Sequence, residues 1–251
     1  MMRTLRRWFF ASFLVLASCA GGLALLLRHP AGFFAHVCDE GDLVLYSDRS
    51  FAAADARVVL AAARAKLRTS PWYRAGRHDA VFVCNAAWRR RLFCFGAPRA
   101  GGLNYVPLTA NVFLSGARVE ENRLVSPTGR VVEDERTLDY FIAHEIAHSL
   151  TCERLGAWRY VRLPDWLREG YADYVGRGSV LGRPEAAAAF LREDPEMNWP
   201  AAAPYLRYNL MTGFLLEREH RPLETVFAEP EQRLTVEGRL RAWLQRAAHG
   251  S

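Results

Sequence analysis

Several features that would mark particular classes of protein are scarce in this chain of 251 residues. Lys66 is its only lysine, so arginine supplies nearly all of the positive charge behind the formal net charge of +6. The five cysteines form no CxxC pair, which disfavours a zinc site built from cysteine. About half of the residues are apolar, which excludes disorder, collagen-like chains and coiled coils. Because charge alone argues only for non-specific attraction, we expect no nucleic-acid partner.

The one long apolar stretch lies near the N-terminus. Three arginines come within the first seven residues, and the twenty residues from Trp8 to Leu27 carry no charge. A helix of that length spans about 30 Å, the thickness of the hydrocarbon core of a membrane. We therefore predict that residues 1–34 are a single-pass anchor in the cell membrane, with residues 35–251 as one domain on its periplasmic or extracytoplasmic side. A cleaved signal peptide and a lipoprotein anchor at Cys19, which ends an LASC sequence, remain open as alternatives.

The cysteines that follow this segment are even in number. They are Cys38, Cys84, Cys94 and Cys152. An extracytoplasmic compartment is oxidising and permits disulfides. Cys84 and Cys94 flank a predicted hairpin or loop, so they are the pair that we expect to be joined. Four buried free thiols are the alternative.

The remainder of the chain divides into a strand-rich first part and a helical second part. Short apolar segments separated by Gly and Pro predict strands at 43–46, 79–84, 92–95, 103–106 and 111–114. An alanine-rich segment predicts a helix at 51–67, and the polar residues 117–135 predict a hairpin or mobile loop. After Thr137 the pattern is helical almost to the end. This order predicts an α+β fold in which a small mixed sheet packs on a helical half.

The strongest chemical motif lies in a helix predicted over residues 138–155, with Thr137 as its expected cap. The motif is HEIAH, an HExxH pattern that begins at His144. A spacing of four puts both imidazoles on one face of a helix, so His144 and His148 can hold one metal ion. Glu145 is angled toward the same cleft and can take a proton from metal-bound water without being a ligand.

A third ligand candidate follows in the sequence PDWLREGYADY, which predicts a second helix. A catalytic zinc site needs three protein ligands and keeps water in the fourth position. Glu169 lies one turn into this second helix, from where it can reach back to the metal. Asp173 is one turn further along the same face. It is well placed to accept the outer N–H of a ligating histidine and so to fix the ring.

HEIAH followed by WLREGYADY resembles the pattern of the gluzincin metallopeptidases, the superfamily of thermolysin and the aminopeptidases. Twenty residues separate His148 from Glu169, and the close match covers residues 137–176. The resemblance implies a helical zincin half and one Zn²⁺ per chain, bound by His144, His148 and Glu169. It also implies that Glu145 is the general base, which activates a zinc-bound water for hydrolysis of a peptide or protein substrate. No GxMEN-type motif occurs, which favours an endopeptidase.

The same superfamily usually supplies a tyrosine or histidine that stabilises the oxyanion of the tetrahedral intermediate. Tyr205 and Tyr208 lie at the start of a predicted helix, on one face, and either can serve. Gluzincins often bind the substrate backbone on an exposed edge strand, for which residues 111–115 are the nearest candidate. Two alternatives to an enzyme remain open. One is a non-catalytic zinc-binding envelope module with the same fold, and the other is an anchored protein without metal.

Overall fold

The computed structural model of the chain describes residues 17–74, 76–194, 197 and 204–249. The strands are β1 (His36–Asp39), β2 (Leu43–Ser47), β3 (Asp79–Val83), β4 (Gly102–Asn104), β5 (Val112–Leu114), β6 (Ala117–Arg118) and β7 (Arg123–Leu124). The helices are α1 (described over residues 17–28), α2 (Ala53–Leu67), α3 (Ala87–Phe93), α4 (Leu138–Leu155), α5 (Ala157–Tyr160), α6 (Asp165–Arg177), α7 (Pro184–Arg192), α8 (Pro204–Gly213), α9 (Leu223–Ala228) and α10 (Arg233–His249). The fold is mixed α/β, and the predicted small mixed sheet is confirmed.

Five strands form the main sheet, in the order β1-β2-β3-β5-β4. The three central strands, β2, β3 and β5, run parallel, while β1 and β4 pair antiparallel to their neighbours at the two edges. The expectation that residues 111–115 form an exposed edge strand is wrong, because β5 is hydrogen-bonded on both sides. The edge strand beside α4 is β4 instead.

The sheet separates two apolar layers, as the alternation of side chains along its strands requires. Val81 and Val83 of β3 face the main core, which α2 and the helical half complete. Phe82, between them, faces a smaller cluster on the opposite side. In that cluster Phe82 stacks on Phe113 with ring centroids 5.5 Å apart. The main core is therefore the layer that fixes α4 against the sheet.

The strand predicted at 92–95 is wrong, and the chain there forms the end of α3. An apolar run of four residues is too short to separate a strand from a helix by its period. The helix places Phe93 on the sheet, where its ring stacks parallel to Phe113 at 5.3 Å. The hairpin expected within 117–135 is present, formed by β6, β7 and a bridge between Val125 and Val131.

Residues 1–16 of the predicted membrane anchor, which include the first nine residues of its uncharged stretch, lie outside the described residues. Among the residues that are described, no helix is both long and apolar enough to cross a membrane. Leu27, at the end of the predicted span, is 1% exposed and packs in the smaller apolar cluster, with Leu23 and Leu26 partly buried beside it. Asn111 also donates a hydrogen bond to the Leu27 carbonyl at 2.8 Å. The last turns of α1 are thus part of the protein domain.

Candidate metal centre

A residue from a distant turn fixes the start of α4, the helix that carries HEIAH. Asn122, in the left-handed conformation with φ 51°, closes the turn between β6 and β7. Its Oδ1 accepts the backbone N–H of Asp139, and its carbonyl accepts that of Leu138. Thr137, expected as the cap, makes no capping hydrogen bond through its side chain. The β6–β7 hairpin therefore holds the helix that carries HEIAH in place.

His144, His148 and Glu169 come together at the crossing of α4 and α6. The Nε2 atom of each histidine lies 3.5 Å from Oε2 of Glu169, and the possible ligand atoms all lie within 4.8 Å of one another. Ligand atoms at about 2.0–2.2 Å from a tetrahedral zinc ion are separated by roughly 3.3–3.5 Å. The two Nε2–Oε2 distances match that separation, and both histidines are buried. This group can hold one metal ion.

Gly170, directly after the candidate ligand Glu169, brings α8 close to the site. A Cβ at this position would lie 2.6 Å from the carbonyl oxygen of Tyr208 and 2.6 Å from Oγ1 of Thr212. Only glycine allows the backbones of α6 and α8 to approach to this distance. In WLREGYADY, Glu169 is therefore a candidate ligand on α6, and Gly170 lets the same helix pack closely against α8.

Glu145 is 8% exposed, and its side chain lies outside the ligand triad, beside Gly102 of β4. A Cβ on Gly102 would lie only 2.6 Å from its Oε1. Asn104, on the same strand, donates to Ser149 Oγ at 2.6 Å and to the Glu145 carbonyl at 3.2 Å. These contacts hold β4 to α4, so the carboxylate of Glu145 lies between the sheet edge and the candidate metal group.

The two glutamates of the site differ in acidity. Burial raises the pKa of Glu145 to about 7, an increase to which the charge of Glu169 adds and which His144 opposes. Burial also acts on Glu169, but the charges of His148 and His144 outweigh it and hold the pKa of Glu169 well below its ordinary value. A pair of acids with separated pKa values is typical of sites where one is a fixed anion and the other exchanges a proton.

The two tyrosines predicted as oxyanion donors, both on α8, differ in how close their rings lie to the candidate ligands. The ring of Tyr205 has its centroid 5.4 Å from that of His144. Burial, then the charges of Glu169 and Glu145, raise the pKa of Tyr205. Tyr208 lies about 4.5 Å further along the helix axis and packs partly buried on the main core. Within the described residues, only Tyr205 of the two has its ring against a candidate ligand.

Asp173, predicted to accept the outer N–H of a ligating histidine, lies on α6 and is fully buried. Among the described residues, no hydrogen bond joins Asp173 directly to either histidine. Tyr140 stands between them: its hydroxyl donates to Asp173 Oδ1 at 2.5 Å and lies 3.4 Å from Nδ1 of His144. The sequence analysis missed Tyr140, although its position four residues before His144 puts it on the same helix face.

Tyr160, at the end of α5, is a further site residue that the sequence analysis missed. Its ring centroid lies 6.5 Å from that of His148. Burial raises the pKa of Tyr160, Arg168 opposes this, and the charges of Glu169 and Glu145 add to it. The residue falls in the stretch between His148 and Glu169, where no spacing rule marks it. Only the fold brings it to the site.

No family model, curated protein or solved structure matches this chain. Any functional conclusion therefore depends on the residues of the site and on their geometry.

Proposed function

We propose that this chain is a zinc metallopeptidase of the gluzincin type, which hydrolyses internal bonds of a peptide or protein. The observation that carries the proposal is the position of Glu145, a buried carboxylate beside the ligand triad but outside it. A zinc ion bound by His144, His148 and Glu169 would supply a Lewis acid and lower the pKa of its water. A site that only stored a metal would need no further buried carboxylate beside its ligands.

The chain's own residues would handle the proton and the developing charge. Glu145 accepts the proton of the attacking water and then passes it to the nitrogen of the leaving amine. Tyr205, whose ring lies against His144, donates its hydroxyl proton in a hydrogen bond to the oxyanion.

The free edge of β4 supports an extended peptide as the substrate. This strand ends the sheet, and its residues 102–104 are partly exposed beside Glu145. A peptide backbone can add to such an edge through main-chain hydrogen bonds. Gly102 carries no side chain between this edge and the carboxylate of Glu145, so a scissile bond on β4 would lie close to the base.

The test is the substitution Glu145→Gln in the full chain, with Glu153→Gln as the matched control. Glu153 lies on the same helix, but its side chain is mostly exposed and pairs with Arg77. Zinc content is measured by elemental analysis, and hydrolysis with a pool of internally quenched fluorogenic peptides. We expect Glu145→Gln to keep its zinc and lose hydrolysis, and Glu153→Gln to keep both. Undiminished hydrolysis in Glu145→Gln would refute the mechanism. Zinc without hydrolysis in the wild type would favour the non-catalytic module.

The proposed location is the extracytoplasmic side of the cell membrane, reached through the N-terminal segment. The support is the uncharged stretch that begins at Trp8, whose last turn packs in the protein domain, and the three arginines that precede it. Alkaline carbonate extraction of membranes and protease accessibility in intact spheroplasts test this proposal. We expect the chain to stay in the membrane fraction and to be digested from outside. Release by carbonate or protection from protease would exclude the predicted topology.

A further inference from the structure

We propose that Tyr140 is a positioning residue: it links Asp173 to His144 and so fixes which ring nitrogen of His144 is free for the metal. This inference rests on the proposed metal site. Tyr140 and His144 lie one turn apart on α4, with ring centroids separated by 5.6 Å. The tyrosine is 2% exposed, so bulk water does not compete for its hydroxyl group.

The contacts around Asp173 show that Oδ2 of its carboxylate is an acceptor. Asn209 Oδ1 accepts the backbone N–H of Val180 at 3.0 Å, and this fixes the orientation of the amide. Asn209 Nδ2 must therefore donate to Asp173 Oδ2, from which it lies 2.9 Å away. The guanidinium of Arg177 forms an ion pair with the same oxygen at 2.9 Å. Asn209 therefore donates a hydrogen bond to Oδ2, and the charge of Arg177 lies beside the same oxygen, which leaves Oδ1 for Tyr140.

The phenol has a single proton, and its short bond to Asp173 Oδ1 uses that proton. Its oxygen can then only accept, so the proton between Tyr140 and His144 must belong to Nδ1 of the imidazole. In a neutral ring this leaves the lone pair on Nε2. That atom is the one that lies 3.5 Å from Oε2 of Glu169, on the metal-facing side.

The separation of 3.4 Å between the Tyr140 hydroxyl and Nδ1 is at the long end for a hydrogen bond. Binding of a cation at Nε2 makes the N–H at Nδ1 more acidic, which strengthens this bond. His148 has no such support, because among the described residues its buried Nδ1 has no hydrogen-bond partner. The structure therefore assigns the orienting contact to one histidine of the pair.

The first experiment compares zinc affinity in Tyr140→Phe and Tyr171→Phe, by competition with a chromogenic chelator. Tyr171 is the matched control, since it lies on α6, which carries Glu169, and is 1% exposed. Its hydroxyl is hydrogen-bonded to Ser70 Oγ at 2.7 Å and not to a histidine. We expect Tyr140→Phe to weaken zinc binding about 10–100-fold and Tyr171→Phe to leave it within about twofold. Unchanged affinity in Tyr140→Phe, or an equal loss in both variants, would overturn the inference.

Asp173→Asn, alone and together with Tyr140→Phe, shows whether the carboxylate acts through the phenol. If it does, Asp173→Asn weakens zinc binding in the wild-type background and adds little in the Tyr140→Phe background. Additive losses would mean that Asp173 reaches the metal site by another route, which contradicts the proposal.

The second experiment reads the tautomer of His144 without metal, so it separates this inference from the proposed function. Long-range ¹H–¹⁵N spectra of the metal-free protein, recorded above the titration range of histidine, distinguish a protonated Nδ1 from a protonated Nε2. We expect the Nδ1–H form in the wild type and in Tyr171→Phe, and a shift toward the Nε2–H form in Tyr140→Phe. A wild-type His144 in the Nε2–H form would refute the inference. Absence of zinc binding with an Nδ1–H ring would refute only the proposed function.

Discussion

Gly102 of β4 lies against the carboxylate of Glu145, so the substitution Gly102→Ala is expected to displace the proposed general base. An alanine Cβ would lie 2.6 Å from Oε1, 2.9 Å from Cγ and 3.1 Å from Cδ of Glu145. Ordinary van der Waals contact begins at 3.4 Å, so the nearest oxygen must move by roughly 0.8 Å. Three atoms of the side chain are crowded, and a rotation of the carboxylate alone cannot relieve the clash.

The size of the effect follows from this displacement. Glu145 is buried, which leaves its carboxylate little room to return to the same position. A misplacement of about 1 Å in a reacting group can cost about 100-fold in rate. We therefore expect kcat to fall about 100-fold in Gly102→Ala. Zinc content should stay at the wild-type level, because the clash falls on Glu145, which is outside the ligand triad.

The assay uses the fluorogenic peptide pool and elemental analysis on Gly102→Ala, with Gly238→Ala as the control. Gly238 lies in α10, where an added Cβ meets no atom within 4 Å. That control should keep full activity and gain up to about 1 kcal/mol in free energy of unfolding, as alanine favours helix. Wild-type activity in Gly102→Ala, or loss of its zinc, would refute the reasoning. The double variant with Glu145→Gln should be no slower than Glu145→Gln alone.

Three further predictions concern other parts of the structure. In the peptide assay, Tyr205→Phe should lower kcat about 100-fold with zinc retained, whereas Tyr208→Phe should keep a kcat near the wild-type value. The opposite result would mean that Tyr208, and not Tyr205, stabilises the oxyanion. Asn122→Ala should lower the free energy of unfolding in urea by about 1 kcal/mol, because it removes the cap of α4; no change would contradict that cap. The expected Cys84–Cys94 disulfide is not formed in the structure, where both cysteines are free and buried. Because their thiols interact, oxidised glutathione should join these two first, as peptide mass mapping will show; a first disulfide with another cysteine would contradict this.

The parts of the site that depend on local geometry could be predicted from the sequence. A helix alone places His144 and His148 on one face, so their proximity needs no knowledge of the rest of the fold. The prediction that Glu169 joins the two histidines required one further assumption, that α6 packs across α4. The spacing of residues within the two segments suggested this packing. The common position of these three side chains is therefore largely a property of two helices.

The parts that depend on contacts distant in sequence could not be predicted in this way. The strand order places β4 at the edge although β5 lies nearer in sequence to α4, and nothing in the letters of either strand determines this. The capping of α4 by Asn122 likewise depends on how the β6–β7 hairpin meets the helix. For the same reason the sequence placed Asp173 beside a histidine but could not show that Tyr140 stands between them.

The smaller apolar cluster determines which form of the protein is suitable for measuring zinc. Leu27 is buried against the sheet, so removal of the N-terminal segment would expose Phe82 and its neighbours. The full chain in detergent is therefore the appropriate sample. Its apolar N-terminal stretch also makes detergent necessary if the predicted anchor is present.

The most direct test of the account is the amount of zinc bound per chain in the wild type, in Glu169→Gln and in Asp165→Asn. Asp165 lies one turn before Glu169 on α6 and is largely exposed, so it controls for the loss of a carboxylate from this helix. The account predicts about one zinc per chain in the wild type and in Asp165→Asn, and much less in Glu169→Gln. A folded wild type that binds no zinc after reconstitution, or a Glu169→Gln variant that binds as much as the wild type, would contradict it.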